Sequence, residues 1–197
     1  MTLPDKLTVS RIFLTFIFMC FVFSHGVLAK ALALFTFILA SFTDFLDGFI
    51  AKKRNISTDF GKLMDPIADK ILVLAAFLAF VEMKLIPAWM VVIIILREIT
   101  ITGLRVFALA RGKVIPADEG GKQKMVSQVA AILAILLFLI FREAGIERFN
   151  FWNGTTEAVY KNAIWALMLI TVALTLISGV SYLVKNKGVY SHQKTGR

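Results

Sequence analysis

The sequence predicts an all-α integral membrane protein with six transmembrane helices and a short amphipathic interfacial segment at the N-terminus. Hydrophobic residues make up 58% of the 197 residues, and the mean hydropathy is +0.80. A water-soluble domain of this length is usually less than half apolar, because it needs polar surface to meet water. The apolar residues also fall into six separate stretches, and a helix of about 20 residues crosses a hydrocarbon core.

The six predicted spans follow one another with short polar breaks between them. They run, in chain order, over residues 7–23, 27–51, 64–81, 87–110, 126–141 and 158–184. Glycine, proline or charged residues fill the breaks, including the basic loop predicted over residues 52–62. Neither a repeat nor a long linker divides the sequence, so we interpret residues 1–197 as one domain. The lone Cys20 lies in an apolar stretch, which excludes a disulfide framework and a cysteine zinc site.

The basic residues are distributed unequally between the two sides of the predicted membrane domain. An even number of spans places both termini on one side, together with the second and fourth loops. That side carries Lys6, Arg11, Lys52, Lys53, Arg54, Lys62, Arg111, Lys113, Lys122, Lys124, Lys185, Lys187, Lys194 and Arg197, and the other carries Lys30, Lys84, Arg142, Arg148 and Lys161. Positive residues mark the cytoplasmic side, so we expect both termini there. The net charge of +9 then needs no nucleic-acid partner, which would require a water-exposed groove.

Four aspartates lie at or beside membrane depth, at the end of the second span and the start of the third. A charge at the centre of a spanning helix costs about 2.5–3.5 kcal/mol, and mutual repulsion adds to this cost. Asp44 and Asp47 are three residues apart, and Asp65 and Asp69 are four apart, so each pair shares a helix face. Spans joined by a short loop pack antiparallel, which lets the two pairs converge.

Convergent carboxylates form a hard-oxygen ligand set for Mg²⁺, Mn²⁺ or Ca²⁺, and this many carboxylates suit two ions. Small residues at Gly48, Ala51 and Gly61 leave room for a ligand near the backbone, although small residues are also the ordinary packing surface of membrane helices. The alternative is salt bridging to Lys52, Lys53, Lys62 or Lys70. Salt bridges account for one aspartate pair but not for two pairs that face each other.

The aspartates belong to a spaced motif. From Asp44 the sequence reads D-F-L-D-G-F-I-A-K, then eight further residues, then G-K-L-M-D-P-I-A-D, which ends at Asp69. This motif resembles the signature D-x-x-D-G-x-x-A-R-x8-G-x3-D-x3-D of the CDP-alcohol phosphotransferase family, with Lys52 in place of the usual arginine. Lysine keeps the charge but lacks the bidentate fork of arginine for a phosphate.

Three further segments are similar to the phosphatidylglycerophosphate synthase branch of that family. They are L-P-D-K-L-T-V-S-R at 3–11, L-R-E-I-T-I-T-G-L-R at 96–105 and G-K-Q-K at 121–124, with Asp5 and Met125 departing from the usual asparagine and threonine. The resemblance implies a six-helix, homodimeric enzyme of phospholipid biosynthesis in the cell membrane, with its active site at the cytoplasmic face. Such an enzyme transfers the phosphatidyl group from CDP-diacylglycerol to sn-glycerol 3-phosphate and releases CMP.

The resemblance also implies roles for individual residues. Asp44, Asp47 and Asp65 are metal ligands, and Asp69 is both a ligand and the base that deprotonates the acceptor hydroxyl. The implied cofactor is Mg²⁺ or Mn²⁺, with two ions per active site. The implied CDP-diacylglycerol-binding residues are Thr8, Arg11, Asp47, Gly48, Ala51, Lys52 and Gly61. For Thr8 and Arg11, an N-terminal membrane anchor is an equally good interpretation.

An acceptor that carries its own phosphate needs cations besides the metal ions. Arg97 and Arg105 are eight residues apart on the fourth span, so they share a face, and Lys122 and Lys124 follow in the next loop. Arginine suits bidentate phosphate contact, so we expect these four residues to bind glycerol phosphate. The alternatives are an internal Arg97–Glu98 ion pair and lysines that only mark the topology.

Two other functions stay open at the level of sequence. The same reaction with another acceptor, such as phosphatidylglycerol, serine or an inositol phosphate, is the nearer one, and a neutral or zwitterionic acceptor would not need Arg97 and Arg105. A cation transporter would use the aspartates as an ion path. Transporters often have inverted repeats and broken helices in both halves, whereas the acidic cluster occurs once in this sequence.

Overall fold

The computed structural model describes the backbone of residues 3–54, 59–110, 119–145 and 153–187, and the side chains of residues 9–43, 70–108, 121–145 and 153–187. Every regular element of the described backbone is helical, which confirms the all-α prediction. The helices are α1 (Leu3–Phe23), α2 (Val27–Arg54), α3 (Asp59–Glu82), α4 (Ala88–Ala110), α5 (Glu119–Ala144) and α6 (Gly154–Lys185). Each of them covers one predicted apolar stretch, although α3 and α5 begin well before the predicted starts at residues 64 and 126.

Several helices extend into segments that the sequence predicts as loops. Because α5 begins at Glu119, Lys122 and Lys124 lie on a helix and not in the loop expected there. A loop was expected over residues 52–62, whereas α2 continues to Arg54 and α3 begins at Asp59. Lysine and arginine are good helix formers, so charged residues prolong a helix beyond its apolar section. The N-terminal segment is likewise the first turns of α1 and not a separate element. Each aspartate pair of the acidic motif therefore lies within a continuous helix, which preserves the helical spacing of the pair.

A polar turn joins α1 to α2 at the end of α2 remote from the acidic motif. Gly26 has a φ of 95°, a conformation that favours glycine because it has no Cβ. The buried Lys30 side chain donates through Nζ to the carbonyl oxygens of Val22 and Ser24, both at 2.7 Å. These bonds satisfy carbonyls at the C-terminal end of α1. Glu143 of α5 accepts from the Gly26 N–H at 3.3 Å, which fastens the turn to α5.

The helices pack around one apolar core. α1 lies against α2 and α3, α5 lies against α2, α3 and α6, and α4 lies against α3 and α6. The largest fully buried side chains are Tyr182, Phe18, Phe37, Phe77, Phe80, Met90, Ile94, Ile132, Ile135, Leu136, Leu139 and Met168. Phe18 and Phe37 make a tilted aromatic contact, with ring centroids 5.8 Å apart. α4 and α5 both pack against α3 and α6. The helices α3 and α6 therefore position the residues that lie between α4 and α5.

Large apolar side chains cover the outer surfaces of the helices. Phe13, Phe16, Leu28, Val126 and Ile177 are between 66% and 74% exposed. Exposed apolar surface on this scale is unusual for a protein in water, whereas lipid tails suit it. Within the described residues, Gly121–Ala144 and Gly154–Lys185 are long and apolar enough to cross a membrane. The fold therefore fits a helical membrane protein.

Candidate active site

The motif aspartates lie on two consecutive helices. Asp44 and Asp47 are in the second half of α2, and Asp65 and Asp69 are in the first half of α3. A helical backbone gives each pair a common face. The side chains of these aspartates lie outside the described residues, as do those of Thr8, Gly48, Ala51, Lys52 and Gly61. Metal binding and CDP-diacylglycerol binding at these positions stay predictions.

A cavity of about 240 Å³ opens between α3, α4 and α5. Lys70, the residue that follows Asp69, lines the cavity from α3. The other charged residues around it are Arg97, Glu98 and Arg105 of α4 and Lys122 and Lys124 of α5. The four cations that the sequence predicts for glycerol phosphate binding therefore meet at one cavity, whose α3 wall includes the residue that follows Asp69 in the sequence.

Glu98 lies among these cations and contacts three of them, one from each helix of the cavity. Its Oε1 contacts Lys124 Nζ and is 3.3 Å from Arg97 Nη1, and its Oε2 is 3.8 Å from Lys70 Nζ. Glu98 and Lys124 are 7% and 6% exposed, and a carboxylate this buried is tolerated only when it is paired. The Arg97–Glu98 ion pair is therefore present in the structure, as one arm of a larger network.

Arg97 is oriented by α6. Its Nη2 donates to Ser178 Oγ at 2.8 Å. Its aliphatic part passes so close to Gly179 that a Cβ there would stand 3.2 Å from Arg97 Cγ, so the glycine leaves the space that the arginine occupies. Arg97 Nε is buried and has no hydrogen-bond partner within the described residues. The guanidinium therefore retains a donor beyond those used in its protein contacts.

Arg105 is held by the same helix. Its Cζ lies 5.4 Å from the centroid of the Tyr182 ring, and its Nε donates to the Tyr182 hydroxyl at 3.4 Å. Stacking on an aromatic ring leaves the edge of a guanidinium available for a phosphate. A tyrosine near the end of the last apolar stretch is typical of an aromatic belt at a membrane interface. In the structure Tyr182 is instead 2% exposed and packs between α6 and α4.

The two lysines of α5 have different surroundings. Lys124 is buried in its contact with Glu98, so it does more than mark the topology, whereas Lys122 is exposed at the cavity. Arg11, predicted to bind CDP-diacylglycerol, is 3% exposed on α1 and does not line this cavity. The residues predicted to bind glycerol phosphate therefore line this cavity, whereas Arg11, predicted to bind CDP-diacylglycerol, lies outside it.

Among the described residues, the cavity lining carries more positive than negative charge. Counted over the lining residues that the structure describes, five cationic side chains face one carboxylate. Charge-assisted hydrogen bonds to a phosphate are about twice as strong as neutral ones, so the arrangement suits an anionic, phosphorylated ligand. The sequence did not assign Lys70, Gln128, Ser178 or Tyr182 to this site. The available signal for the last two is their spacing of four residues on one face of α6.

The fold fits a helical membrane protein, and the cavity between α3, α4 and α5 is lined by cations that suit a phosphorylated ligand. The family model described as CDP-alcohol phosphatidyltransferase matches residues 1–177. The chain is 39% identical over 196 residues to the CDP-diacylglycerol–glycerol-3-phosphate 3-phosphatidyltransferase of Bacillus subtilis (strain 168), which covers 93% of this chain and 94% of that protein. This protein belongs to the CDP-alcohol phosphatidyltransferase family, which confirms the resemblance seen in the motif.

Two further relatives carry names for the same reaction. The CDP-diacylglycerol–glycerol-3-phosphate 3-phosphatidyltransferase of Rickettsia typhi is 35% identical over 182 residues, which covers 91% of this chain and 94% of that protein. A probable phosphatidylglycerophosphate synthase of Mycobacterium tuberculosis is 32% identical over 186 residues, which covers 93% of this chain and 80% of that protein. The similarity therefore extends well beyond the motif into the helices that line the cavity.

Proposed function

We propose that this protein transfers the phosphatidyl group of CDP-diacylglycerol to sn-glycerol 3-phosphate, giving phosphatidylglycerophosphate and CMP. The observation that carries the proposal is the cation-lined cavity that begins at Lys70, directly after the acidic motif of α3. An acceptor that carries a phosphate needs cations beside the donor site, and the cavity supplies them. The names of the similar proteins from Bacillus subtilis and Rickettsia typhi describe the same transfer.

In the proposed reaction, a primary hydroxyl of glycerol 3-phosphate attacks the phosphorus that carries diacylglycerol. A bond forms between that phosphorus and the acceptor oxygen, and the bond from the phosphorus to the pyrophosphate bridging oxygen breaks, so CMP leaves with the bonding electrons. Asp69 takes the proton of the attacking hydroxyl. Arg97 and Arg105, with Lys122 and Lys124, hold the acceptor phosphate, which orients the hydroxyl towards Asp69.

The donor set of the acidic motif fits Mg²⁺ or Mn²⁺. Asp44, Asp47, Asp65 and Asp69 offer carboxylate oxygens, which these hard cations prefer, and each of two consecutive helices carries one pair. Two bound ions would neutralise the charge of the pyrophosphate and of the departing CMP. We propose that Asp44, Asp47 and Asp65 serve chiefly as ligands and that Asp69 combines ligation with its role as the base.

We propose that the cytidine diphosphate lipid binds over the second half of α2 and the start of α3. Its contacts are Thr8, Arg11, Asp47, Gly48, Ala51, Lys52 and Gly61. Small residues at positions 48, 51 and 61 let a nucleotide approach the helix backbone closely. The Lys52 ammonium compensates phosphate charge as a point charge, without the bidentate geometry that an arginine offers.

We further propose that residues 1–197 form one domain with six spans and that both termini lie in the cytoplasm. The six helices each carry an apolar stretch, and the basic residues gather on the side of the termini. The active site then lies at the cytoplasmic face of the cell membrane, where glycerol 3-phosphate and CMP enter and leave through water. A homodimer is proposed on the family resemblance alone.

Release of CMP by the purified protein tests the proposed function. The protein, in mixed micelles with CDP-diacylglycerol, is incubated with glycerol 3-phosphate, phosphatidylglycerol, serine or inositol phosphate, and with Mg²⁺, Mn²⁺ or a chelator. We expect rapid CMP release only with glycerol 3-phosphate and a divalent ion. Faster release with another acceptor would overturn the acceptor assignment, and no release with any acceptor would overturn the enzyme assignment.

A further inference from the structure

Gln128 on α5 is a buried polar side chain that the proposed reaction does not use. It lines the cavity together with Arg97 and Lys124 and is 4% exposed. Its side-chain nitrogen Nε2 is buried and has no hydrogen-bond partner in the part of the protein that the structure describes. Most buried polar atoms are paired, and an unpaired buried donor costs about 1–3 kcal/mol. An open donor beside a cavity indicates a ligand that pairs with it.

The chemistry of Gln128 differs from that of the cations around the cavity. It lies one helical turn after Lys124, and the apolar side chains of Val73 and Ile94 also line the cavity. A phosphate finds stronger partners in the charged donors than in a neutral amide. A carboxamide offers both a donor and an acceptor, which matches a hydroxyl group, because a hydroxyl also donates and accepts. Gln128 is therefore suited to an uncharged part of the ligand.

We propose that Gln128 hydrogen-bonds the C2 hydroxyl of glycerol 3-phosphate and selects the acceptor that carries this hydroxyl. The inference rests on the proposed function, because it takes glycerol 3-phosphate as the acceptor. In the proposed reaction the arginines bind the phosphate and Asp69 deprotonates the reacting hydroxyl, so the C2 hydroxyl between them is the remaining polar group. A site with a buried donor rejects an analogue that lacks the hydroxyl, since the donor is then left unpaired.

The discriminating acceptor is 3-hydroxypropyl phosphate, which keeps the phosphate and the reacting hydroxyl and lacks only the C2 hydroxyl. CMP release with each acceptor is measured for the wild-type protein and for Gln128→Met, which keeps the side-chain length and removes the donor. We expect the wild-type kcat/KM to favour glycerol 3-phosphate by about 10- to 100-fold. Gln128→Met should reduce this preference to about threefold or less, with KM for CDP-diacylglycerol unchanged.

Gln123→Met is the matched control. Gln123 lies on the same helix, is exposed and is not among the described residues that line the cavity, so its replacement should keep the wild-type preference. Isothermal titration of both acceptors into the same variants gives a readout that does not depend on turnover. A preference retained by Gln128→Met, in rate or in affinity, would overturn the inference. Wild-type protein that released no CMP with glycerol 3-phosphate would instead overturn the proposed function.

Discussion

At the scale of single residues, the cation cluster depends on Glu98. Its carboxylate contacts Lys70, Arg97 and Lys124, and it is the one acid among the described residues of the cavity wall. Without it, these cations would repel one another in a partly buried space, where charges are screened less than in water. Among the described residues, this one carboxylate thus reduces the repulsion between three cations that line the cavity.

We expect Glu98→Gln to destabilise the protein and to weaken acceptor binding. Removing one partner of a buried ion pair costs about 3–5 kcal/mol, because the remaining charges are left uncompensated. The unfolding midpoint in detergent should therefore fall by about 6–20 °C, and KM for glycerol 3-phosphate should rise. Glu82→Gln, at the exposed end of α3, is the control and should change stability by less than about 0.5 kcal/mol. Equal midpoints for the two variants would contradict this role of Glu98.

Gly179 has no Cβ, and this leaves room for the aliphatic part of the Arg97 side chain. A Cβ at Gly179 would stand 3.2 Å from Arg97 Cγ, so Gly179→Ala should displace the arginine. A strained side chain costs about 0.5–1.5 kcal/mol, so we expect KM for glycerol 3-phosphate to rise about two- to tenfold. Gly103→Ala on α4 is the matched control, because nothing lies within 4 Å of a Cβ there. A similar KM in both variants would show that the close approach does not position Arg97.

At the scale of helices, α6 acts as a support for α4. Ser178 and Tyr182 lie four residues apart on the face of α6 that meets α4, and each contacts one arginine. Two residues one turn apart on α6 therefore hold two arginines that lie eight residues apart on α4. The apolar helix α6 thus contributes to the site by positioning the arginines of α4, although none of its described residues lines the cavity.

Two substitutions of Tyr182 distinguish the effect of its hydrogen bond to Arg105 from that of its cation–π contact. Tyr182→Phe removes the hydroxyl and keeps the ring, so we expect only a small rise in KM for glycerol 3-phosphate. Tyr182→Leu also removes the cation–π contact, which is worth about 0.5–2 kcal/mol, and should raise that KM about two- to thirtyfold. Tyr160→Leu, near the start of the same helix, should leave KM unchanged. If Tyr182→Phe were as impaired as Tyr182→Leu, the hydroxyl and not the ring would hold Arg105.

The helices and part of the site were predictable because their signals are local. Each helix carries a long apolar stretch, and the spacing of Arg97 and Arg105 already indicates a shared face. The contacts of Ser178 and Tyr182 were not predictable, since their spacing places them on one face of α6 but does not tell which helix that face packs against. The loop expected over 52–62 was wrong in extent for a related reason, because charged residues continue a helix as well as end it.

At the scale of the whole molecule, the polar groups lie at opposite ends of the bundle and have different roles. The cations of the cavity gather towards the end of α4 and the start of α5, whereas Lys30 and Glu143 tie the turn between α1 and α2 at the start of α2 and the end of α5. The first group faces a cavity, and the second satisfies backbone groups. A membrane placed across the apolar surfaces between them leaves one end for the water-soluble substrate.

Cysteine labelling tests this orientation. In a Cys20→Ser background, which removes the lone cysteine, His25→Cys reports the turn after α1 and Lys187→Cys reports the end of α6; both positions are exposed. Because basic residues gather on the side of the termini, a membrane-impermeant maleimide added to intact cells should label position 25 and not position 187. Permeabilised cells should show both labels. The reverse pattern would place the cavity at the outer face, away from cytoplasmic glycerol 3-phosphate, and would contradict the proposed topology.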